Sequence, residues 1–350
     1  MDNYGLMLIK TDGKPRNITK IIKDLSWEDD IETLGTKLSF NSARNINDSN
    51  MAGYDVIESG DKVILYNGSM EIFRGIVTNI DWGRYEKGIT CFDYAFYLNQ
   101  SKTVKQFKGI AASKAIAELC NRFSVPIGSI DTISTSITMI YKDKTVADII
   151  QDILYHVLLE TGNKYRLEMR LGKLYVMKYQ KINIKPIFRQ TRNSIPVDIL
   201  KAISDVTKNE NIQEMRNSIA VVTTETVTED DNDFTTDDNI EEVDTERVVS
   251  IAYTEDKVNI GKYGLLQEVL TINKQDKPLA KNAAQNKLKE LNKVFKEVSL
   301  SLLGSDELRA GRILTIKNAM FNLNGEYLIK SSRHNVSNGI HKCTVTVKEA

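Results

Sequence analysis

Residues 60–97, GDKVILYNGSMEIFRGIVTNIDWGRYEKGITCFDYAFY, and residues 311–349, GRILTIKNAMFNLNGEYLIKSSRHNVSNGIHKCTVTVKE, follow one pattern near the two ends of the chain. Each segment opens with a glycine and a charged residue, then continues as an apolar run, a second strand, a polar turn with glycine and a third strand. The pattern predicts the same three-stranded meander twice. A chance similarity between two ordinary β-meanders is the alternative. A true duplication would give an oligomer twice as many equivalent surfaces as it has subunits.

Composition narrows the function classes. The 350 residues are enough for about two domains. Lys plus Arg and Asp plus Glu both number 47, so the formal net charge is zero, which argues against a global electrostatic grip on nucleic acid or anionic lipid. No apolar run reaches the ~20 residues that span a bilayer, and the N-terminus lacks the features of a secretory signal. The three cysteines are scattered and lack CxxC spacing, which indicates no disulfide framework, so we expect synthesis in a reducing cytoplasm without a signal peptide.

Residues 1–100 are predicted to form an N-terminal β domain. Residues 4–9 form a first apolar strand, and residues 37–40 alternate between polar and apolar side chains, as a half-buried strand does. The dipeptide Asn67-Gly68 tolerates the positive φ angles of a tight hairpin turn. Short strands at this spacing predict a small barrel or sandwich.

Residues 101–190 change to a helical period and are predicted to form an α/β insert. One helix is indicated by apolar residues at i, i+3, i+4 and i+7 (Ile116, Leu119, Cys120 and Phe123). Thr145 and Asp148 have the spacing of a capping box at the start of a second helix. A short strand pair is predicted at 165–169 and 174–177.

Residues 191–350 are predicted to form a C-terminal β domain with an acidic loop at 223–246 and a helix at 278–298. The loop segment contains 11 acidic residues and no Lys or Arg, so it should repel itself and remain solvated. A calcium site at 230–233 is the alternative. It is disfavoured because the required glycine and terminal glutamate are out of register.

No catalytic constellation is found in the sequence. His156 lies within the second predicted helix, where a structural role is favoured, and His334 and His341 could meet across a turn without a third zinc ligand. Asp29 and Asp30 could be imagined as glycosidase carboxylates, but nothing fixes their separation. The three cysteines should pack as small hydrophobes (Cys91, Cys120 and Cys343). We therefore predict no catalytic, cofactor-binding or metal-binding residue and no enzyme activity.

Two C-terminal segments carry a family resemblance. They are GKYGLLQEVLTINKQDKPLAKNAAQNKLKELNK (261–293) and LRAGRILTIKN…NGEYLIKSSRHNVSNGIHKCTVTV (308–347). With the N-terminal GDKVILYNGSMEIFRGIV, they make the chain resemble the baseplate hub proteins of contractile phage tails, of the late-control-protein-D-like, XkdQ/YqbQ type. The acidic run at 225–246 looks like an insertion relative to that family.

The resemblance implies an α+β, mainly β fold with two small tail-tube-like antiparallel β-barrels and an α/β insert between them. It implies a homotrimeric ring that adapts the sixfold tail tube to the threefold spike and nucleates tube assembly. The implied partners are a second and third copy, the tail tube protein, the spike protein and other baseplate proteins. Separately, the zero net charge predicts no specific nucleic-acid binding. The implied location is the baseplate of a virion or of a phage-tail-like bacteriocin.

Two other functions remain open at this stage. One is a tail-associated cell-wall or polysaccharide hydrolase, whose site would most naturally lie at 101–180. The other is a module that binds the host surface.

Overall fold

Strands dominate the computed structural model, which describes residues 3–350 apart from positions 11, 46, 48–55, 189–196, 202, 229–243, 273 and 320. The chain forms two compact units. The first unit combines residues 1–208 with residues 297–350, and the second comprises residues 209–296.

The first unit begins with what we call the N-terminal module. Its described strands are β1 (Tyr4–Ile9), β2 (Pro15–Asn17), β3 (Ile22–Asp30), β4 (Thr36–Ala43), β5 (Lys62–Asn67), β6 (Met70–Trp82) and β7 (Glu86–Asp93). They lie side by side in the order β3-β4-β7-β6-β5-β1-β2, and every neighbouring pair is antiparallel. Buried residues alternate with more exposed ones along β4 and β7, as in a sheet with one face on a core.

The α/β insert follows directly. It contains α1 (Ala95–Gln100), β8 (Lys102–Ala111), α2 (Ala112–Arg122), β9 (Ile127–Ile130), β10 (Ser136–Thr145), α3 (Val146–Thr161), β11 (Tyr165–Arg170) and β12 (Lys173–Lys178). The predicted cap of α3 is confirmed, because the Thr145 hydroxyl accepts a hydrogen bond from the Asp148 amide at 3.1 Å. Gly162 ends the helix at a φ of +69°. Both predicted helices and the predicted strand pair are present.

The chain continues through short strands into the second unit. The short strands are β13 (Asn183–Ile184), β14 (Ile187–Phe188), β15 (Val197–Asp198) and β16 (Asp205–Asn211). The second unit holds β17 (Ser218–Thr228), β18 (Asp244–Glu255), α4 (Lys257–Tyr263), β19 (Gln267–Thr271) and α5 (Ala280–Leu291). The strand order there is β18-β17-β19, and a small apolar core lies between these strands and α5.

The first unit is completed by β20 (Phe295–Leu303), β21 (Ile313–Asn318), β22 (Leu323–Ser337) and β23 (Ile340–Glu349). Together with β13 and β16 these strands make what we call the C-terminal module, in the order β16-β20-β23-β22-β21-β13. The N-terminal order β3-β4-β7-β6-β5 therefore has a counterpart, strand for strand, in β16-β20-β23-β22-β21. The three-stranded meander is present twice, as predicted.

Hydrogen bonds at the start of each meander support the same correspondence. The Gly60 amide donates to the Val77 oxygen, and the Gly311 amide donates to the Ile329 oxygen, both at 2.8 Å. In the opposite direction, the Val77 amide donates to the Asp61 oxygen and the Ile329 amide donates to the Arg312 oxygen, again at 2.8 Å. Both glycines have positive φ, +89° and +79°, and both middle strands have a register shift just past this point.

Two predicted boundaries are wrong. The helix predicted at 278–298 ends at Leu291, and Phe295 and Val298 lie in β20, whose apolar residues alternate with a period of two. The acidic loop predicted at 223–246 is shorter, because β17 and β18 remain paired out to Thr228 and Asp244. The remainder of that loop, with the calcium alternative at 230–233, lies outside the described residues.

The finer architecture stays a prediction. The described strands of the first unit's large sheet run from β16 at one end to β2 at the other. Two closed barrels and the boundaries 1–100, 101–190 and 191–350 stay predictions.

Candidate functional site: the joint between the two modules

The two modules are joined edge to edge by β3 and β22. These strands pair antiparallel from Ser331 opposite Asp30 to Val336 opposite Leu25. The pairing makes one sheet of thirteen strands from the two modules. It spans about 300 positions of sequence, and nothing in the local pattern of either strand specifies it.

Aromatic rings fill the core of the joint. Trp27 of β3 is 5% exposed and lies flat on the imidazole of His334 in β22, with ring centroids 4.6 Å apart and an angle of 5° between the planes. His341 of β23 packs against both rings, and Tyr4 of β1 meets Trp27 at 5.3 Å. Aromatic contacts of this kind add to the free energy gained from area burial.

A chain of hydrogen bonds runs through these rings. Tyr4 Oη lies 2.8 Å from Asp306 Oδ1 and 2.9 Å from His341 Nδ1. His341 Nε2 lies 2.9 Å from His334 Nδ1, and His334 Nε2 lies 2.8 Å from the Leu308 carbonyl oxygen. Burial, followed by the neighbouring His341, lowers the pKa of His334 to about 3, so its imidazole is neutral at pH 7.

The tautomers follow from this geometry. A carbonyl oxygen only accepts, so His334 Nε2 carries its proton and His334 Nδ1 accepts from His341 Nε2. A neutral His341 then leaves Nδ1 as an acceptor, which places it and the Asp306 carboxylate on either side of the single Tyr4 hydroxyl proton. Four contacts therefore share three protons when both imidazoles are neutral and Asp306 is ionised.

Gly304 is required beside His341. A Cβ atom at this position would lie 2.0 Å from His341 Cγ, and the Gly304 amide donates to the His341 oxygen at 2.9 Å. The imidazole therefore rests directly on the backbone, and a side chain here would displace it.

The carboxylates singled out by sequence serve the fold. Asp29 Oδ1 accepts hydrogen bonds from the Ser332 hydroxyl at 2.5 Å and from the Ala310 amide at 3.1 Å, so it fastens the C-terminal module to β3. Asp30 accepts from the Glu32 amide at 2.7 Å. Asp29 also lines a cleft of about 620 Å³ that borders the insert. These bonds occupy the two carboxylates in structural contacts.

An ion cluster connects the insert to the C-terminal module. Glu168 of β11 accepts from Arg312 at 2.7 Å, from Arg170 at 2.8 Å and from Arg166 at 2.5 Å. Burial alone would raise the pKa of Glu168, but the hydrogen bonds from Arg170 and Arg312 lower it to about 2. Arg166 also donates to the Gly311 oxygen at 3.0 Å, at the start of the second meander.

The remaining histidine and the cysteines lie as follows. His156 is in α3, 3.6 Å from Asp152 one turn earlier. All three cysteines are buried, and Cys343 Sγ lies 3.7 Å from His334 Nε2. Across the part of the chain that the structure describes, no three His, Cys, Asp or Glu side chains gather as a metal site would require. The absence of catalytic, cofactor and metal residues stays a prediction.

Sequence reasoning found some members of the joint and missed others. It paired His334 with His341, and the structure brings them together. It missed Tyr4, Trp27 and Asp306. Their signal is weak, since an aromatic residue in a strand and an aspartate in a turn are common in any β protein.

The fold, two β modules of one strand order in a single sheet with an α/β insert between them in sequence, is that of solved phage tail proteins. The fold is similar to the 43 kDa tail protein of prophage MuSo2 from Shewanella oneidensis, with a TM-score of 0.65 and 11% identity over 99% of this chain and 98% of that one. A YQBQ-like family model matches residues 25–348. The chain belongs to the YQBQ-like family, as the sequence resemblance predicted.

Two curated relatives come from Bacillus subtilis (strain 168). The chain is 23% identical over 312 residues to the uncharacterized protein YqbQ, covering 88% of this chain and 87% of that protein. It is also 23% identical over 300 residues to the phage-like element PBSX protein XkdQ, covering 85% and 83%. Among the described residues, no helix has both the length and the apolar character to cross a bilayer.

Proposed function

We propose that the chain is a structural hub of a contractile tail, assembled as a homotrimeric ring that adapts a sixfold tail tube to a threefold spike and nucleates tube assembly. The internal duplication carries this proposal. The two modules share a strand order and are joined edge to edge through β3 and β22. Three chains with two modules each would supply six similar units, while the chains themselves keep threefold symmetry.

The proposed partners follow from that symmetry. One face of a six-module ring suits the tail tube protein, and the threefold arrangement of whole chains suits a trimeric spike and other baseplate proteins. A location in the baseplate of a virion or a phage-tail-like bacteriocin agrees with the tail-protein fold and with a relative named for a phage-like element. The zero net charge supports the expectation of no specific nucleic-acid binding.

The domain scheme belongs to the same proposal. We propose tail-tube-like barrels at 1–100 and 191–350 separated by the insert at 101–190. Separate apolar cores support the division between the N-terminal module, the insert and the last strands, while the second unit, within 191–350, has a small core of its own. One core joins residues of β1 and β3–β7, a second joins the insert, and a third joins β20–β23 with Ile199.

We propose that the protein is not an enzyme. Two of the carboxylates that line the cleft beside the insert, Asp29 and Glu168, are held by hydrogen bonds from neighbouring side chains. A hydrolase in this region would need a carboxylate free to exchange a proton with substrate. No observation favours the hydrolase over the structural hub, and a cell-wall zymogram of the purified protein should show no clearing.

The oligomeric state tests the ring directly. Light scattering after size-exclusion chromatography and native mass spectrometry are run on the full chain over a range of concentrations, alone and with a trimeric spike protein. A species of three chains is the expected result. A monomer under every condition would overturn the proposal. A species of two chains would also overturn it, because two chains supply only four modules.

A further inference from the structure

The middle strands of the two modules differ in what covers them. In the C-terminal module, the second half of β22 has β23 on one edge and β3 on the other. In the N-terminal module, the second half of β6, residues 78–82, has β7 on one edge, and the other edge pairs with no described strand. The edge of β22 is thus covered by β3, whereas the equivalent edge of β6 has no partner among the described strands.

Register fixes which residues correspond. Val77 and Ile329 accept the same hydrogen bond at the start of each meander, and the register shift that follows aligns Trp82 of β6 with His334 of β22. His334 is fully buried under Trp27 of β3, whereas Trp82 is 60% exposed. A largely exposed indole, contacted by Arg44 at 4.8 Å and Lys87 at 4.0 Å from its ring centroid, therefore stands at the position that the other module buries beneath an added strand.

The counterpart of the covering strand β3 is β16, which lies at the other end of the sheet. By strand order β16 is the counterpart of β3, and it ends the order without a second described neighbour. Most of its side chains are exposed, unlike those of β4 or β20. In an open sheet such an edge offers unpaired amides and carbonyls to another strand.

We infer that the open edge of β6 at residues 78–82 receives β16 of a second copy of this chain, and that this contact buries Trp82. The inference rests on the proposed ring and specifies its joint. The contact is head to tail, because β16 and β6 lie at different places on the chain, and a head-to-tail contact closes into a ring when the rotation allows. We expect β16 of the second copy to pair with β6 as β3 pairs with β22 within the chain.

Backbone hydrogen bonds in the existing joint indicate which amides of β6 face the open edge. The Ile31 amide donates to the Lys330 oxygen at 2.9 Å, and the alternation of an antiparallel pair then directs the Ser332 amide at β3. Ile80 aligns with Ser332, so its amide points to the open edge. Replacing Ile80 by proline removes that donor and leaves the bonds to β7 in place.

The experiment combines proline substitution with tryptophan fluorescence. Ile80→Pro is compared with Ile80→Ala, which loses the same side chain but keeps the amide. We expect Ile80→Ala to form the wild-type trimer and Ile80→Pro to need at least a tenfold higher concentration, with circular dichroism confirming that both fold.

Fluorescence gives an independent measurement, because Trp27 and Trp82 are the two tryptophans of the chain. On assembly the wild-type emission should shift to the blue and acrylamide quenching should fall, and Trp82→Phe should show neither change. If wild-type trimers form while Trp82 stays as quenchable as in the monomer, or if Ile80→Pro assembles like Ile80→Ala, the inferred joint is wrong and the ring survives. Absence of any wild-type trimer overturns the proposed function instead.

Discussion

Trp27 and His334 lie in different modules, yet their rings stack in parallel with centroids 4.6 Å apart. Trp27 comes from the first thirty residues and His334 from the last twenty. The contact exists only if β3 and β22 pair in one register, because a shift by one residue would place the two side chains on opposite faces of the sheet. The stack therefore reports whether the two modules are joined.

Truncating Trp27 should weaken the joint strongly. Trp27→Ala removes a 5% exposed indole from between His334 and the N-terminal core, and we expect a loss of about 3–5 kcal/mol in the free energy of unfolding. Urea unfolding at pH 7 measures it. Trp82→Ala, at low protein concentration, is the matched control. Trp82 is 60% exposed and its ring contacts Arg44 and Lys87, so we expect a smaller loss of about 0.5–2 kcal/mol. Equal losses in both variants would contradict this account.

The proton count at Tyr4 makes a second prediction. Asp306→Asn keeps an oxygen for the Asn67 amide, which now donates at 2.7 Å, and its own amide can donate to Tyr4 Oη. Tyr4 is then free to donate to His341, so all four contacts have a proton. We expect Asp306→Asn to match or exceed wild-type stability at pH 8, and Asp306→Ala to lose about 1–3 kcal/mol. Thermal unfolding of the three proteins at pH 8 measures these differences. A large loss of stability in Asp306→Asn would refute the proton count.

The buried imidazole of His334 should make the protein sensitive to mild acid. Its folded pKa of about 3 lies below the ordinary value of 6.5, so its contribution to stability is complete above pH 6.5 and is lost as pH falls toward 3. The free energy of unfolding should fall by up to about 1.4 kcal/mol per pH unit through this group.

Two histidine variants isolate this effect. Unfolding is measured between pH 6.5 and 5, above the titration of ordinary carboxyl groups, in His334→Gln and in His156→Gln. The slope with pH should flatten in His334→Gln and remain in His156→Gln. An unchanged slope in His334→Gln would show that the imidazole is already charged in the folded protein.

Local chemistry made much of the fold predictable. The Asn67-Gly68 turn, the Thr145 cap and the stripe of α3 depend on residues within a few positions of one another, and the structure contains all three. The repeated meander was predictable for the same reason. The register of a hairpin is set by its own turn, so the strand pairing of each meander depends on residues within that meander.

Features that depend on distant partners were not predictable. The pairing of β3 with β22 and the polar chain from Tyr4 to Leu308 bring together residues about 300 positions apart. The end of α5 was misplaced because Phe295 and Val298 continue a helical spacing, while both lie in β20, which pairs with β23 from Val298 onward. Tertiary contacts overrode the local pattern there.

The ion cluster around Glu168 should be a structural requirement of the contact between the insert and the C-terminal module. Glu168→Gln removes the one carboxylate that balances Arg166, Arg170 and Arg312 and leaves their charges close together with little solvent. We expect a loss of about 3–5 kcal/mol in the free energy of unfolding at pH 7, since removing one partner of a buried ion pair strands the other.

A pH titration separates charge from shape in that cluster. The folded pKa of Glu168 is about 2, below its ordinary value of 4.5, so its contribution is present above pH 4.5 and disappears as pH falls toward 2. Wild type and Glu168→Gln should therefore differ most at pH 7 and converge near pH 2. Glu326→Gln, which removes an exposed pair with Lys181, should cost about 1 kcal/mol or less at any pH. A constant difference between wild type and Glu168→Gln from pH 7 to pH 2 would mean that the side chain acts through packing, because only a charged interaction disappears on protonation.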